Sequence, residues 1–490
     1  MALQVVQEGN SAGDALVVAK FGGSSVKDAA AMQSCAQVLE KFPAIKVSIL
    51  SATYNTTNEL EMLAALAVGK EKTISGKEIT SDFATLKNHL TQKHCALAQE
   101  LGVGQEIHDD LQNIFLNLQD TLEVLQERQD LGADMNYYLK SHEAIYAVGE
   151  LLSTTIFAAY LKKVFPARKV VWLDSRQYIV TDGRWTKAQV DFAQTKHRIF
   201  SLKEEIARDA QLLYVAQGFI GGTEDGVPTT LGREGSDLSA AIYAAALDAT
   251  ELQIWTDVPG IASSDPRQVK EVKYLPTLSY QQANLLSALG AKVLHHQTLF
   301  PVMRQNIPVW VGQTTAPEKG TRITHKAHST QGVLTVQPVK HILLAAVALE
   351  PHNWLSSALQ DTRLHYFAVE QYGPHRGIVV CQGADKDNWQ IFFQEQKVSS
   401  ASLCWHMTAG IFLLGEFNRE QVEKRIQQLL QKKGIPGDAD LSDLKLAMKD
   451  PFPTSPWPLL NLAGGCLLIL PERYHKEVLE DLHHLLIALA

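Results

Sequence analysis

The stretch 15–25 constrains this chain more than any other. An unbroken apolar run, Ala15-Leu16-Val17-Val18-Ala19, reads as a strand buried on both faces, as found inside parallel sheets. It runs into Lys20-Phe21-Gly22-Gly23-Ser24-Ser25, a cation followed by a glycine pair and two serines able to cap a helix. A strand that halts at Gly-Gly and re-forms as a helix leaves backbone N–H groups facing a cleft. Such a nest suits phosphate oxygens, and Lys20 would add a full positive charge beside them. No G-x-x-x-x-G-K-S/T occurs, so this is not a Walker loop. On spacing alone, a phosphate site and a tight strand–helix turn with a surface lysine are equally supported.

A parallel strand needs crossover helices, and the chain supplies them in alternation. Residues 47–50 read as a second strand leading into the hydroxyl- and amide-rich turn 51–58, at the strand end where open α/β sheets place ligands. From 82 to 164 the pattern is helical. Ile114, Leu118, Leu122 and Leu125 repeat at three and four, as do Phe83, Leu86 and Leu90, and both stripes read as core packing. Glu150 interrupts the apolar helix 145–160 within Gly149-Glu150-Leu151-Leu152-Ser153-Thr154, and taken alone it reads as a solvated face.

Strand-like runs return at 169–173 and 212–216. The latter feeds Gly218-Phe219 and then Leu231-Gly232-Arg233-Glu234-Gly235-Ser236-Asp237, before a small-residue helix at 238–249. Arg233 can hold a carboxylate bidentately. Asp237 can cap the helix, or bind metal and order phosphates. Then come a strand end at Ile254-Trp255-Thr256-Asp257, the turn Asp265-Pro266-Arg267, a helix at 280–289 and Gly290-Ala291-Lys292-Val293-Leu294-His295. Residues 308–312 read as the last strand of this unit and 314–330 as a polar linker. Beyond 335, short strands and helices alternate as in one or two small α+β modules.

A length of 490 residues allows about two to four domains. Hydrophobic content of 46% with 20% charged residues is ordinary for a soluble globular chain. The net charge of -8 argues against a general nucleic-acid binder. Five scattered cysteines (Cys35, Cys95, Cys381, Cys404, Cys466) without a C-x-x-C predict buried thiols, not a disulfide framework or a zinc site. No apolar run reaches the length of a membrane span, and residues 1–14 read as a flexible extension without a signal or transit peptide. The expectation is a cytoplasmic enzyme.

Taken together, seven ordered blocks over about residues 16–325 resemble the amino acid kinase superfamily, and aspartokinases in particular. Lys20-Phe21-Gly22-Gly23-Ser24-Ser25-Val26 is similar to K-F-G-G-T/S-S-V, and 51–58 to S-A-x-x-x-x-T-N. Gly149-Glu150 with Ser153-Thr154 matches G-E-x-x-S-T, Gly218-Phe219 the G-F turn, and 231–237 resembles L-G-R-G-G-S-D. Residues 255–260 with 265–267 resemble W-T-D-V-x-G followed by D-P-R, and 290–295 match G-A-K-V-L-H.

The resemblance implies a three-layer αβα sandwich at 15–325, followed by a smaller α+β, degenerate ACT-like region at 335–490. It implies transfer of the ATP γ-phosphate to the β-carboxylate of L-aspartate. Lys20 and Asp237 would be catalytic. Ser51, Thr57, Glu150, Phe219, Arg233, Gly235 and Ser236 would bind the amino acid. Lys20, Gly22, Gly23, Ser24, Thr256, Asp257, Ala262, Arg267, Lys292 and Val293 would bind ATP. Mg²⁺ would arrive with ATP, held mainly by phosphate oxygens and not in a protein-built metal site. A homodimer or higher homo-oligomer is implied. The chain departs from the pattern at Glu234, where glycine is usual, at Ala147-Val148, at Ala262 and at His296. Glu234 and the eroded C-terminal region motivate a second reading, an inactive paralogue acting as a regulatory partner. A third, another amino acid kinase acting on glutamate or acetylglutamate, is disfavoured by the G-E-x-x-S-T and W-T-D-V blocks.

Overall fold

The computed structural model describes residues 15–435 and 459–487, apart from 70–72, 75–76, 79–81, 128–134, 187, 233, 289–295, 327–331, 349–353, 359–367, 373–375, 383–384, 399–402 and 463–464. It divides into two compact units, Met1–Gly260 with Gln297–His325, and Ile261–His296 with Lys326–Ala490. The stretch 261–296, kept with the first domain in the sequence reading, thus packs with the second unit.

The first unit is built on a sheet. Its strands are β1 (Val17–Phe21), β2 (Ile45–Leu50), β3 (Lys169–Leu173), β4 (Leu212–Gln217), the hairpin β5 (Ile220–Gly222) and β6 (Pro228–Thr230), β7 (Glu251–Thr256), β8 (Val309–Gln313) and β9 (Ala316–Thr324). Within this unit the order is β9-β8-β7-β1-β2-β4-β3, with β5 and β6 paired apart. All neighbours in the main sheet run parallel except β8 and β9. β9 occupies part of the stretch expected to be a linker. Its residues differ along its length: Glu318 and Lys319 are exposed, while Thr321 and Ile323 are buried in alternation.

Helices cover both faces. They are α1 (Ala29–Lys41), α2 (Thr56–Ala67), α3 (Phe83–Glu100), α4 (His108–Glu127), α5 (Met135–Val164), α6 (Phe192–Arg208) and α7 (Gly235–Ala246). Val17, Ala19 and Phe21 join one core cluster with residues of α1 to α5. Val18, equally buried, points the other way because strand side chains alternate. α7 packs against β1, β2 and β7 without contributing to that cluster, so it lies on the opposite face. This is the αβα sandwich the resemblance implied. Within α5, Tyr137–Val164 is long and apolar enough to cross a membrane, and 78% of an 18-residue apolar window in it is buried. Lys140, Glu143 and Glu150 interrupt its apolar residues, and the burial marks a core helix.

Three local expectations also change. β1 continues through Lys20 and Phe21. Ser24 and Ser25 cap nothing; they lie in a single 3-10 turn, Gly23–Val26, and Asp28 caps α1 by accepting from the Ala31 N–H at 2.8 Å. Cys35, Cys381 and Cys466 are buried, but Cys95 is only half-buried, and all four are free thiols.

The second unit holds an antiparallel sheet of β10 (Gly332–Ala348), β11 (Ala368–Tyr372), β12 (Arg376–Gln382), β13 (Leu403–Glu416), β14 (Leu459–Leu462) and β15 (Gly465–Ile469), in the order β11-β12-β10-β13-β15-β14. One core sets Val336, Ile411 and Leu413 against the helices Arg419–Lys432 and His475–Ile487. A second gathers Trp354, Trp389, Phe392 and Phe393.

Candidate active site

Register places the ends of β1, β2, β4 and β7 side by side: Phe21 pairs with Leu50 and Trp255, and Leu50 with Gln217. The residues just beyond are laced together by their backbones. Gly22 N donates to Trp255 O at 3.3 Å, Ser51 N to Phe21 O at 3.1 Å and Gly218 N to Leu50 O at 2.8 Å. The switch from strand to turn thus occurs on four neighbouring strands at one edge, where a parallel sheet opens a crevice.

Lys20 and Asp237 meet there. Lys20 shares its strand face with Val18, toward α7, and Asp237 lies in the first turn of α7. Their side chains form an ion pair and are 13% and 8% exposed. The approach depends on Gly218. A Cβ at that position would lie 2.5 Å from Ser236 Cβ, so any larger residue would push the start of α7 away from the sheet. Phe219 and Glu234 both adopt left-handed backbone, with φ of 65° and 57°. Glu234 precedes α7, is exposed, and stands where the geometry favours glycine.

Glu150 reaches the same strand edge from α5, at the turn after β2. α5 closes on the turn after β2 because Gly149 has no side chain, and a Cβ there would sit 2.8 Å from Ala52 Cβ. Glu150 Oε1 accepts from Ala52 N at 3.1 Å, while Oε2 is buried without a hydrogen-bond partner. Burial pushes its carboxyl up to about 8, against the pull of the Ala52 N–H. The solvated-face reading is therefore wrong: Glu150 is 2% exposed. Ser153 Oγ donates to Ser51 O at 2.8 Å and Thr154 Oγ1 to Glu150 O at 2.7 Å, while Gln217 Nε2 donates to Thr154 Oγ1 at 2.8 Å. Ser51 follows β2 and Thr57 lies in the first turn of α2, both half-buried, and Gly235 and Ser236 are buried in the first turn of α7.

Of the residues that the resemblance assigns to ATP, Gly22, Gly23 and Ser24 are half-buried at the end of β1. Thr256 Oγ1 donates to Asp257 Oδ1 at 3.0 Å, and Gln313 Nε2 to Asp257 O at 3.1 Å. Ala262 and Arg267 belong to the second unit, where Arg267 grips Asp265 with Nε at 2.9 Å and Nη2 at 2.8 Å. That grip holds the Asp265 carboxyl down to about 2. Arg233, Lys292 and Val293 lie outside the described residues. Among the described residues no group of three or more His, Cys, Asp or Glu could hold a metal ion.

The sequence reading missed Glu143, which is fully buried on α5. Its two oxygens accept the backbone N–H groups of Thr186 and Thr230, bracing the segment that leads into 231–237. The signal was available: Glu143 stands seven residues before Glu150, on the same helix face and in the same apolar helix.

Residues 15–313 match the family model described as Amino acid kinase family. The chain belongs to the amino acid kinase family. It is similar to "Lysine-sensitive aspartokinase 3" of Escherichia coli K12, with 33% identity over 307 residues, 62% of this chain and 63% of that protein. It is similar to "Aspartokinase" of Chlamydia trachomatis, with 31% identity over 320 residues, 64% of this chain and 66% of that one. The matched region thus spans a little under two thirds of either relative's length. Among solved structures, E. coli aspartokinase III in complex with aspartate and ADP (R-state) shares the fold with a TM-score of 0.71 at 24% identity, covering 96% of this chain and 99% of that one. The same enzyme with lysine and aspartate (T-state) gives 0.64, with the same identity and coverage.

Proposed function

We propose that this amino acid kinase transfers the γ-phosphate of ATP to the β-carboxylate of L-aspartate, giving 4-phospho-L-aspartate, the entry step toward lysine, threonine and methionine. The observation that carries this reading is the pairing of Lys20 with Asp237 at the strand edge that also holds Glu150, whose second oxygen is buried and unpartnered. One arrangement suits a transferring phosphoryl group; the other suits a substrate ammonium.

The acceptor is already a carboxylate, so no strong general base is required. The protein must bring two anions together and neutralise the charge that spreads over the transferring group. Lys20 supplies that charge at the end of β1. Asp237 holds the lysine in place before phosphates arrive and orders the reacting groups afterwards. The substrate ammonium satisfies Glu150 Oε2 and favours its ionised form. Arg233 clamps a substrate carboxylate, while Ser51 and Thr57 add polar contacts. By the family resemblance, Thr256, Asp257, Ala262, Arg267, Lys292 and Val293 are assigned to ATP. Mg²⁺ would arrive on ATP and would supply charge neutralisation at the phosphates. The charged set Lys20, Glu150 and Asp237 supports an active enzyme over a regulatory paralogue, since a decayed site has no use for buried charge.

The reading extends to a cytoplasmic homo-oligomer paired through an ACT-like second unit, which light scattering of the purified protein tests. The reaction itself is tested by a hydroxamate assay with Mg-ATP, hydroxylamine and L-aspartate, against L-glutamate. Aspartyl hydroxamate well above the control is expected. Lys20→Ala and Asp237→Ala should each lose at least about a hundredfold in turnover with unchanged unfolding midpoints. Absence of product, or wild-type rates in both variants, overturns the assignment.

A further inference from the structure

The turn 51–58 is gripped from two sides, and only one belongs to the site described above. From α5, Glu150 and Ser153 hold Ala52 and Ser51. From α3, which lies outside every motif block, Lys93 and His94 hold the rest. Lys93 Nζ donates to Tyr54 O at 2.9 Å, Thr56 Oγ1 at 2.8 Å and Glu59 Oε2 at 3.1 Å, so its three protons have three acceptors. His94 is fully buried. Its Nδ1 lies 2.8 Å from Leu90 O, which can only accept, so Nδ1 carries the proton. Burial holds the ring neutral, with its pKa lowered to about 4. Nε2 is then an acceptor for Thr53 Oγ1 at 3.0 Å, and Thr53 Oγ1 in turn meets Thr56 Oγ1 at 2.6 Å. The direction of the chain is thereby set: ammonium to Thr56, Thr56 to Thr53, Thr53 to imidazole.

This arrangement ties the turn at Thr53 and Tyr54 to the first turn of α2 at Thr56 and Glu59. Asn55, the residue before α2, sits at φ 67° and makes no side-chain cap. A lysine beside the N-terminus of a helix opposes the helix dipole. Glu59 offsets that cost, and the return is a fixed path for 53–56, between Ser51 and Thr57.

We infer that Lys93 and His94 are positioning residues for the amino-acid subsite, acting through Thr53, Tyr54 and Thr56 to hold the turn that presents Ser51 and Thr57 to substrate. The inference rests on the proposed reaction for its kinetic readout. Lys93 and His94 make their hydrogen bonds to α3, the turn and α2, while the Ala52–Tyr54 backbone passes beside Gly23, so the effect on L-aspartate should exceed the effect on ATP.

The test uses the full chain. Lys93→Met and His94→Phe should raise KM for L-aspartate about tenfold while kcat and KM for Mg-ATP stay within about threefold. Lys93→Arg, which keeps several donors, and His94→Gln, which keeps an acceptor for Thr53, should restore most of the loss. Hydrogen exchange of the amides 51–58 provides a readout independent of turnover. It should quicken about tenfold in Lys93→Met and recover in Lys93→Arg, with α1 unchanged. A wild-type protein that makes no aspartyl hydroxamate would sink the proposed reaction, and exchange at 51–58 would still decide the positioning role. Unaltered exchange there, or an unaltered KM for aspartate in an active enzyme whose melting point alone has dropped, overturns the inference.

Discussion

α5 carries two buried glutamates on one face, and they have opposite fates. Glu143 has both oxygens occupied by backbone N–H groups, from Thr186 and Thr230. Glu150, two turns on, has one oxygen on Ala52 N and the other bare. Burial raises the pKa of both carboxyls, and at each the hydrogen bonds it receives pull the other way. A buried carboxylate costs several kcal/mol unless its oxygens are met. Glu143 meets that cost within the protein and serves as a brace. Glu150 does so only in part, which makes it a socket awaiting a cation. A buried acid therefore signals a site not by its burial but by its unfinished hydrogen bonding.

The sharpest way to break this contrast is to neutralise each glutamate and read both activity and stability. Glu150→Gln should cut kcat/KM for L-aspartate by about a hundredfold or more, mostly through KM, since a charged partner for a buried ammonium is lost. Steady-state kinetics decide it, and an unchanged KM would remove Glu150 from the site. Glu143→Gln should instead destabilise by roughly 1–3 kcal/mol in urea titrations, because a carboxamide offers one acceptor where two N–H groups need one each. If Glu143→Gln unfolds like the wild type, the brace is imaginary.

A pH series sharpens the contrast further. The folded-state pKa of Glu150, about 8, lies above its ordinary 4.5, so between these values the folded protein keeps a proton that the unfolded chain has lost. Wild-type stability from this group is full below pH 4.5 and falls as pH rises through about 8. Glu150→Gln removes that loss, so its melting point should exceed the wild type's by a margin that widens from pH 5 to pH 8. A constant difference would mean that Glu150 is ionised in the folded protein. The smallest effect belongs to Glu234→Gly. It relieves a left-handed backbone at φ 57°, offset by the entropy of an unfolded glycine, for a gain of about 0.5 kcal/mol and a modest rise in kcat/KM. A fall in stability would show that the Glu234 side chain contributes contacts worth more than the strain.

Much of the first unit was legible from local pattern. Apolar runs marked β1, β2, β3, β4 and β8, and the repeats in α3 and α4 fell on their buried faces, as Leu86, Leu90, Leu118, Leu122 and Leu125 show. β9 escaped because it is short of apolar residues. Only Thr321 and Ile323 of its nine residues are buried, so its composition is that of a linker. The helix Lys386–Glu395 escaped as well, although Trp389, Phe392 and Phe393 line its buried side. Four aromatic and aliphatic residues in a short polar stretch make a weak period.

Order along the chain alone was enough to establish the strand–turn–helix alternation, the glycines at close approaches and the membership of a kinase family, because each rests on residues near in sequence. Folding decided which polar groups meet. Ala52 reaches Glu150 across 98 residues and Thr53 reaches His94 across 41. Such pairs leave no periodicity, since a loop of any length can close them at little extra entropy. The burial of Glu150 followed from the same closure. It is the missing side chain of Gly149, not any property of the glutamate, that lets α5 approach the turn and turns an apparent surface residue into a buried acid.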